Sequence, residues 1–183
     1  MATRSVLVFS DRKDEKLEYG VPIYKHWDGY PSNILHLLRQ YIEVNKERLT
    51  DIPYLSSGFL RYIELYDYED KIPDKFKDIK EETDDMAYDE RTELWKLKDP
   101  YTGYGLFQMD IGESVLSGWE DYYYKITPEE VYCYNGEMDE KNHPELLFKI
   151  KVKDLISLPD KRDFFEKLEK GIFQWKHPEW YSD

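Results

Sequence analysis

Two short apolar runs, rich in β-branched and aromatic residues, lie near the start of the chain and are separated by polar residues. Ser5 to Ser10 forms the first run and Val21 to Tyr24 forms the second, and most residues between them are charged. Runs of this length and composition are typical of β-strands. The pattern therefore predicts an N-terminal hairpin with a long polar loop.

Helical periodicity begins after Pro31, where apolar residues recur at intervals of three and four. The residues that share this face are Ile34, Leu35, Leu38, Tyr41 and Ile42. Ser32 or Asn33 has a side chain suited to cap the first turn. A second periodic segment predicts another helix from about Pro53 to Tyr66, although Gly58 weakens the pattern.

The second half of the chain predicts an antiparallel meander. Three β-rich runs are separated by Thr127 to Glu130 and by a turn at Asn135-Gly136. These runs are Trp119–Ile126, Val131–Tyr134 and Leu146–Val152. Alternation along the first run predicts Tyr122 and Tyr124 on one face of the sheet and Tyr123 on the other.

A last helix is predicted from Asp160 to Lys170, with Gly171 as its C-terminal stop. Its buried face would consist of Phe164, Phe165 and Leu168. The elements together predict one α+β domain over residues 1–183: a hairpin, two helices, an antiparallel meander and a C-terminal helix. The aromatic tail after Gly171 either packs back on the sheet or faces a partner.

Charge is distributed unevenly along the chain. The net charge is -13, yet residues 1–50 carry eight Lys/Arg against seven Asp/Glu, so the acidic excess lies behind them. The segment from about 67 to 93 is especially acidic and is expected to form a flexible insertion. An acidic surface favours basic partners or simply improves solubility. The candidate partner-binding cluster in this segment is Asp84, Asp85, Asp89 and Glu90.

Composition limits the cellular setting and the chemistry. Hydrophobic residues make up 40% of the chain and aromatic residues 16%, which is enough to build a core. The single Cys133 is expected to be a buried, inert thiol, and no apolar run is long enough to span a membrane. These features predict a soluble cytoplasmic protein, without a cofactor or a bound metal.

Tyr24 to Pro31, with the sequence YKHWDGYP, is the densest motif in the chain. It reads as the end of a strand, a tight turn and the start of a helix. Asp28 can bond the backbone of its own turn, Gly29 can supply a positive φ angle, and Pro31 can preset the helix entry. Trp27 and Tyr30 would then anchor the helix on the sheet. This interpretation makes the motif structural.

A catalytic interpretation of the same motif uses His26 and Asp28. On an extended backbone these side chains project to the same side, where the carboxylate could orient the imidazole. Glu120 or Asp121 could complete such a site, as a small metal-dependent hydrolase or nuclease would require. No HExxH or CxxC pattern supports a metal, and Gly103 and Gly105 lack the Lys-Ser/Thr of a phosphate loop.

The residues TRSVLV, YKHWDGYP, GYG and WEDYYYKI together resemble a widespread, largely uncharacterised family of small proteins from bacteria and their phages, which has a WDGYP turn. The likeness extends to about residue 135 and departs in the acidic insertion and the aromatic tail. A chain of this size, charge and motif is also similar to type II-A anti-CRISPR proteins, which inhibit Cas9.

The resemblance implies a non-enzymatic phage or mobile-element protein that evades host defence by binding Cas9, or Cas9 with its guide RNA. It would block DNA recognition or cleavage through its acidic cluster, and Cas9 offers positively charged channels for such a surface. Direct binding to nucleic acid stays open at this point, and no membrane is involved. The alternatives are the hydrolase described above and a non-enzymatic phage accessory protein.

Overall fold

The computed structural model describes residues 3–14, 17, 19–69, 104–106, 120–138 and 144–176. Within these ranges the chain forms a mixed α+β structure, as the sequence predicts. In chain order the elements are β1 Ser5–Phe9, β2 Val21–Lys25, α1 Pro31–Asn45, a 3-10 helix Lys46–Arg48, α2 Ile52–Glu69, β3 Tyr104–Leu106, β4 Tyr122–Ile126, β5 Glu130–Met138, β6 Pro144–Lys151, α3 Val152–Ser157 and α4 Arg162–Lys176.

The strands form one sheet in the order β3-β2-β1-β4-β5-β6. β1 pairs antiparallel with β2 and parallel with β4, and the remaining pairs are antiparallel. The predicted N-terminal hairpin and the predicted meander of β4, β5 and β6 are therefore confirmed. The parallel contact between β1 and β4 joins these two units and places β1 inside the sheet.

One face of the sheet packs against the helices and forms the larger core. Leu7, Ile23 and Tyr124 project from the strands into this core, where Phe59 of α2 and Phe165 of α4 are fully buried. Burying a side chain of this size contributes about 1.5–3 kcal/mol. The periodic apolar residues of α1 meet the same core, which confirms the predicted helix face.

The opposite face of the sheet carries a second, smaller cluster, here called the tyrosine face. Its fully or almost fully buried members are Val6, Val8, Tyr123, Tyr132 and Tyr134. Leu17, from the β1–β2 loop, packs against them. Because Tyr122 and Tyr124 belong to the helix-packed core, the predicted alternation of the three tyrosines is confirmed.

Asn135 and Gly136 do not form the predicted turn. Both lie inside β5, where Asn135 pairs with Tyr122 and the Gly136 N–H donates a hydrogen bond to the Asp121 carbonyl at 2.8 Å. A Cβ at Gly136 would lie 1.7 Å from the Glu120 carbonyl oxygen. Close backbone approach at an irregularity in the β5–β6 pairing therefore explains this glycine, and a turn does not.

The ends of several elements also differ from the predictions. β4 starts at Tyr122, three residues after the predicted start, and Val152 begins α3 instead of ending a strand. Gly171 does not stop α4, which continues to Lys176 with Gly171 exposed. Of the three residues predicted to be buried in this helix, Phe165 is fully buried, whereas Phe164 and Leu168 are half-buried.

The predicted second helix exists and extends from Ile52 to Glu69, through Gly58. Gly105 lies in β3 and pairs with Tyr24, so it belongs to a strand. Most of the predicted acidic insertion, and the tail after Lys176, lie outside the described residues. No helix in the described ranges combines the length and the apolar character needed to cross a membrane.

Candidate functional site

The motif from Tyr24 to Pro31 folds against the start of β1. The Gly29 N–H donates a hydrogen bond to the Thr3 carbonyl at 2.9 Å, and the Gly29 carbonyl accepts one from the Tyr124 hydroxyl at 2.8 Å. Both contacts join the motif to residues far away in the sequence. The motif therefore acts as a junction between two parts of the sheet and α1.

Asp28, and not Gly29, adopts the positive φ angle of this junction. The φ angle of Asp28 is 54°, a left-handed conformation that aspartate tolerates better than most residues. Gly29 is required for a different reason, because a Cβ there would lie 2.6 Å from the Ser5 Oγ and 2.9 Å from the Thr3 carbonyl oxygen. The prediction that Gly29 supplies the positive φ angle is wrong.

The entry to α1 is arranged differently from the prediction as well. Pro31 occupies the first turn as expected, but the N-cap is Tyr30, whose side chain makes no capping bond. The Asn33 side chain instead donates to the Asp28 carbonyl at 2.8 Å. The Ser32 N–H donates to the Glu169 carboxylate at 2.6 Å, so α4 provides the anion that the first turn of α1 lacks.

The two aromatic residues of the junction have different surroundings. The hydroxyl of Tyr30 accepts a hydrogen bond from Arg162 at 2.7 Å, which ties the start of α1 to α4. Trp27 is 42% exposed, and its ring lies edge-on to His26 with the centroids 4.7 Å apart. Trp27 therefore lies at the surface beside His26, instead of being buried as an anchor between helix and sheet.

His26 bonds to Tyr24 and not to Asp28. The Tyr24 hydroxyl lies 2.8 Å from the His26 Nδ1. The catalytic interpretation assumed that the backbone stays extended through Asp28, but β2 ends at Lys25 and the left-handed Asp28 turns the chain. The predicted His26–Asp28 pair is therefore not formed, because the turn separates the two side chains.

Glu120 and Asp121 lie near this site, at the start of β4. The Asp121 carboxylate accepts a hydrogen bond from the Arg4 N–H at 2.6 Å, and the Asp121 N–H donates to the Arg4 carbonyl at 3.0 Å. Glu120 is only 6% exposed and accepts from the Tyr123 hydroxyl at 2.6 Å. These carboxylates hold β4 against β1 and support the tyrosine face.

The pKa of the Tyr24 phenol is shifted by burial and by the charged groups of this region. Burial raises the pKa of Tyr24, the guanidinium of Arg4 opposes that shift, and the carboxylates of Glu120 and Asp121 add to it. Tyr24 therefore stays protonated at neutral pH and can donate a hydrogen bond to His26. Three of the four residues of the catalytic interpretation, His26, Glu120 and Asp121, lie around this phenol, while Asp28 is exposed and directed elsewhere.

A metal site finds no support in the part of the chain that is described. No group of three or more His, Cys, Asp or Glu side chains converges there as metal ligands would. The Nδ1 atom of His26 is engaged by Tyr24, and the predicted third ligands Glu120 and Asp121 already accept hydrogen bonds. The metal-dependent alternative therefore lacks its ligand set among these residues.

The acidic cluster of Asp84, Asp85, Asp89 and Glu90 lies outside the described residues, so its role stays a prediction. Cys133 is a buried thiol in β5, as expected. Its side chain belongs to the helix-packed core. Burial raises the pKa of the neighbouring Tyr124 phenol, and Cys133 adds to that shift.

Several residues that build the site were not identified from the sequence. Tyr24 bonds His26 within the motif, Arg4 bonds Asp121, and Glu169 accepts from Ser32 directly after the motif. Ser5 lies directly beneath Gly29, and its buried hydroxyl has no hydrogen-bond partner among the described residues. Tyr24 could have been found, because residues two apart in a strand share a face. The other three depend on contacts between distant elements, for which the local sequence carries no signal.

In comparisons with known proteins, no protein family, no curated protein and no solved structure matches the chain.

Proposed function

We propose that this chain is a non-enzymatic protein of a phage or mobile element that binds Cas9, alone or with its guide RNA, in the bacterial cytoplasm. Binding would block DNA recognition or cleavage. The likeness of the Tyr24–Pro31 motif and the β1 and β4 sequences to a phage-associated family, and of the whole chain to Cas9 inhibitors, supports this proposal.

The separation of charge along the chain is the observation that carries the proposal. Residues 67–93 contain twelve Asp/Glu and five Lys/Arg, a net charge of -7, which is more than half of the net charge of -13 of the whole chain. The acidic excess is therefore concentrated in this segment of the sequence. A concentrated negative charge suits the positively charged channels in which Cas9 holds its guide and target.

The bonding of the candidate catalytic groups favours a binding role over hydrolysis. Asp121 is engaged by the backbone of Arg4, and Glu120 is engaged by Tyr123. Groups that hold strands together are poorly placed to take up and release protons during a reaction. The proposed contacts are accordingly Asp84, Asp85, Asp89 and Glu90, acting as one cluster.

The direct test is a plasmid-cleavage assay with purified Cas9 and guide RNA, in which the chain is added in increasing excess. We expect cleavage to fall with added chain and a complex to elute on size exclusion. Full cleavage at large excess, together with no complex, would refute the proposal. Omitting the guide RNA shows whether the chain binds Cas9 alone.

A matched pair of variants separates the acidic cluster from net charge. One variant carries Asp84→Asn, Asp85→Asn, Asp89→Asn and Glu90→Gln, and we expect it to lose most of its inhibition. The control neutralises four exposed carboxylates on the described fold and so has the same net charge: Asp11, Glu47, Asp154 and Asp163. Equal loss of inhibition in both variants would mean that net charge, and not the cluster, mediates binding.

The variant His26→Ala distinguishes binding from the hydrolase alternative. A binding protein that uses the acidic cluster should keep its inhibition in this variant, to the extent that the variant folds. An enzyme that uses His26 should lose its activity completely. Circular dichroism and a urea titration of the same samples report whether folding is preserved.

A further inference from the structure

Arg4 and His26 lie side by side at one end of the sheet. Ser5 pairs with Lys25 of β2 and with Tyr122 of β4. Continuing both registers by one residue places His26 on one side of Arg4 and Asp121 on the other. The Asp121 N–H donates to the Arg4 carbonyl and the Arg4 N–H donates to the Asp121 carboxylate, which agrees with the placement of Asp121. Alternation along the strand puts all three on the side of the sheet that carries the tyrosine face.

The free positions of Arg4 and His26 are hydrogen-bond donors. The Tyr24 hydroxyl lies 2.8 Å from the His26 Nδ1, and a hydroxyl that donates across this distance leaves the ring proton on Nε2. The Arg4 guanidinium makes no hydrogen bond or ion pair with any residue in the described ranges. Guanidinium groups can only donate. Two donors on neighbouring strands that lack an acceptor among the described residues form an arrangement that suits an oxyanion.

We propose that Arg4 and His26 bind the phosphate group of a nucleotide. Arginine recognises phosphate through two parallel N–H bonds, and a protonated imidazole nitrogen adds a third donor. Trp27 provides an aromatic surface for the base, because its ring lies 4.7 Å from the His26 ring and is 42% exposed. The proposed site uses none of the residues of the acidic cluster and does not depend on the proposed inhibition of Cas9.

The charges around the site set its strength. Asp121 neighbours Arg4 and opposes a phosphate, although one of its oxygens is occupied by the Arg4 N–H. Glu120 is almost fully buried and bonded to Tyr123. A bound cation is disfavoured, since the Arg4 guanidinium repels it.

The test titrates the full chain with AMP, inorganic phosphate and adenosine while NMR follows the ring signals of the histidines. We expect AMP to shift the His26 signals, inorganic phosphate to bind more weakly than AMP, and adenosine to bind least. Binding of adenosine as tight as that of AMP would overturn the phosphate contact. Equal binding of inorganic phosphate and AMP would overturn the role of Trp27, and no shift at His26 with AMP would overturn the site.

Substitutions identify the residues that bind. Arg4→Gln should weaken AMP binding about tenfold or more, as the loss of a charge-assisted bond predicts. The matched control Arg61→Gln, on the exposed surface of α2, should leave it unchanged. Tyr24→Phe should weaken binding as well, because Nδ1 then loses the hydroxyl that fixes the ring proton on Nε2.

Asp121→Asn should tighten AMP binding, because the amide oxygen still accepts from the Arg4 N–H while the opposing charge is removed. This variant is informative even when Arg4→Gln fails to fold, since it changes affinity in the other direction. Weaker or unchanged binding in a folded Asp121→Asn variant would contradict the proposed position of the phosphate.

Discussion

Gly29 and Ser5 are packed so closely that a methyl group at position 29 would lie 2.6 Å from the Ser5 Oγ. Through this contact, the turn that follows β2 lies directly on the first residue of β1. The Gly29 N–H and carbonyl then reach Thr3 and Tyr124. The requirement for glycine is therefore steric and long-range, and it couples the motif to the centre of the sheet.

Gly29→Ala should destabilise the fold by about 2 kcal/mol, because overpacking a filled site forces the backbone to shift. A urea titration measures the free energy of unfolding. The matched control is Gly171→Ala, at an exposed position inside α4 with nothing within 4 Å. There the same substitution should stabilise the protein by about 0.5–1 kcal/mol, because alanine favours helix. A similar loss in both variants would contradict the steric explanation.

Ser5→Ala should leave stability unchanged or raise it by up to about 1 kcal/mol, because the buried Ser5 hydroxyl has no hydrogen-bond partner in the part of the chain that the structure describes. Thermal unfolding followed by circular dichroism checks this. Substituting a buried, hydrogen-bonded serine normally destabilises a protein. A loss above about 1 kcal/mol would therefore mean that the hydroxyl has a partner that matters.

Glu169→Gln should destabilise the protein by about 1 kcal/mol, because the half-buried carboxylate accepts from the Ser32 N–H at the positive end of α1. Glutamine keeps an acceptor oxygen but loses the charge. Glu166→Gln is the control, since Glu166 is exposed and forms only a surface ion pair with Arg162. That ion pair should contribute less than about 0.5 kcal/mol to the free energy of unfolding. Equal effects in urea titrations would argue against capping across helices.

Lys125 and Asp14 should respond differently to substitution. Lys125 is fully buried on the side of the tyrosine face, where its Nζ bonds both the carboxylate, at 2.8 Å, and the carbonyl of Asp14. Asp14→Ala leaves the buried ammonium with fewer acceptors and should cost about 2 kcal/mol. Lys125→Met removes the charge itself and should be nearly neutral. A larger loss for Lys125→Met than for Asp14→Ala would contradict this assignment.

Stability should fall as the pH rises above about 10, the ordinary pKa of tyrosine. Burial raises the pKa of Tyr41, and it raises the pKa of Tyr124 well above the usual value, with Cys133, Tyr122 and Glu169 adding to the shift. Above pH 10 the unfolded chain loses these protons while the folded chain keeps them. Their contribution is therefore complete below pH 10 and is lost progressively towards the folded-state pKa.

Urea titrations between pH 8 and pH 12 measure this loss. Tyr124→Phe should make stability fall less steeply between pH 10 and pH 12. The same substitution lowers stability at neutral pH by about 1 kcal/mol, because the hydrogen bond to Gly29 is lost. Tyr54→Phe is the control, since Tyr54 is 65% exposed, and its alkaline decline should match that of the unsubstituted chain. An unchanged decline in Tyr124→Phe would show that other groups cause it.

Local patterns in the sequence predicted the helices and strands well, but they did not predict the contacts between distant parts of the chain. The hairpin, α1, α2 and the meander follow from periodicities of two and about 3.6 residues, which each segment carries by itself. The pairing of β1 with β4, and the capping of α1 by Glu169, join residues more than a hundred positions apart. No local pattern encodes such a partner.

At the candidate site, the rule that residues two apart share a strand face was correct but was applied to the wrong pair. It places Tyr24 with His26, within and just after β2, and this pair forms. It fails for His26 and Asp28, because the left-handed Asp28 ends the extended backbone. A non-glycine residue with positive φ is uncommon, so a turn beginning with Asp28 itself was hard to anticipate.

The parallel contact of β1 with β4 has a consequence for the order in which the protein can assemble. Arg4 and Asp121, which bond at one end of this contact, are 117 residues apart. During synthesis β1 leaves the ribosome long before β4 has been made. Until then β1 can pair only with β2, and its other edge stays unpaired. Completion of the centre of the sheet therefore depends on the late synthesis of β4.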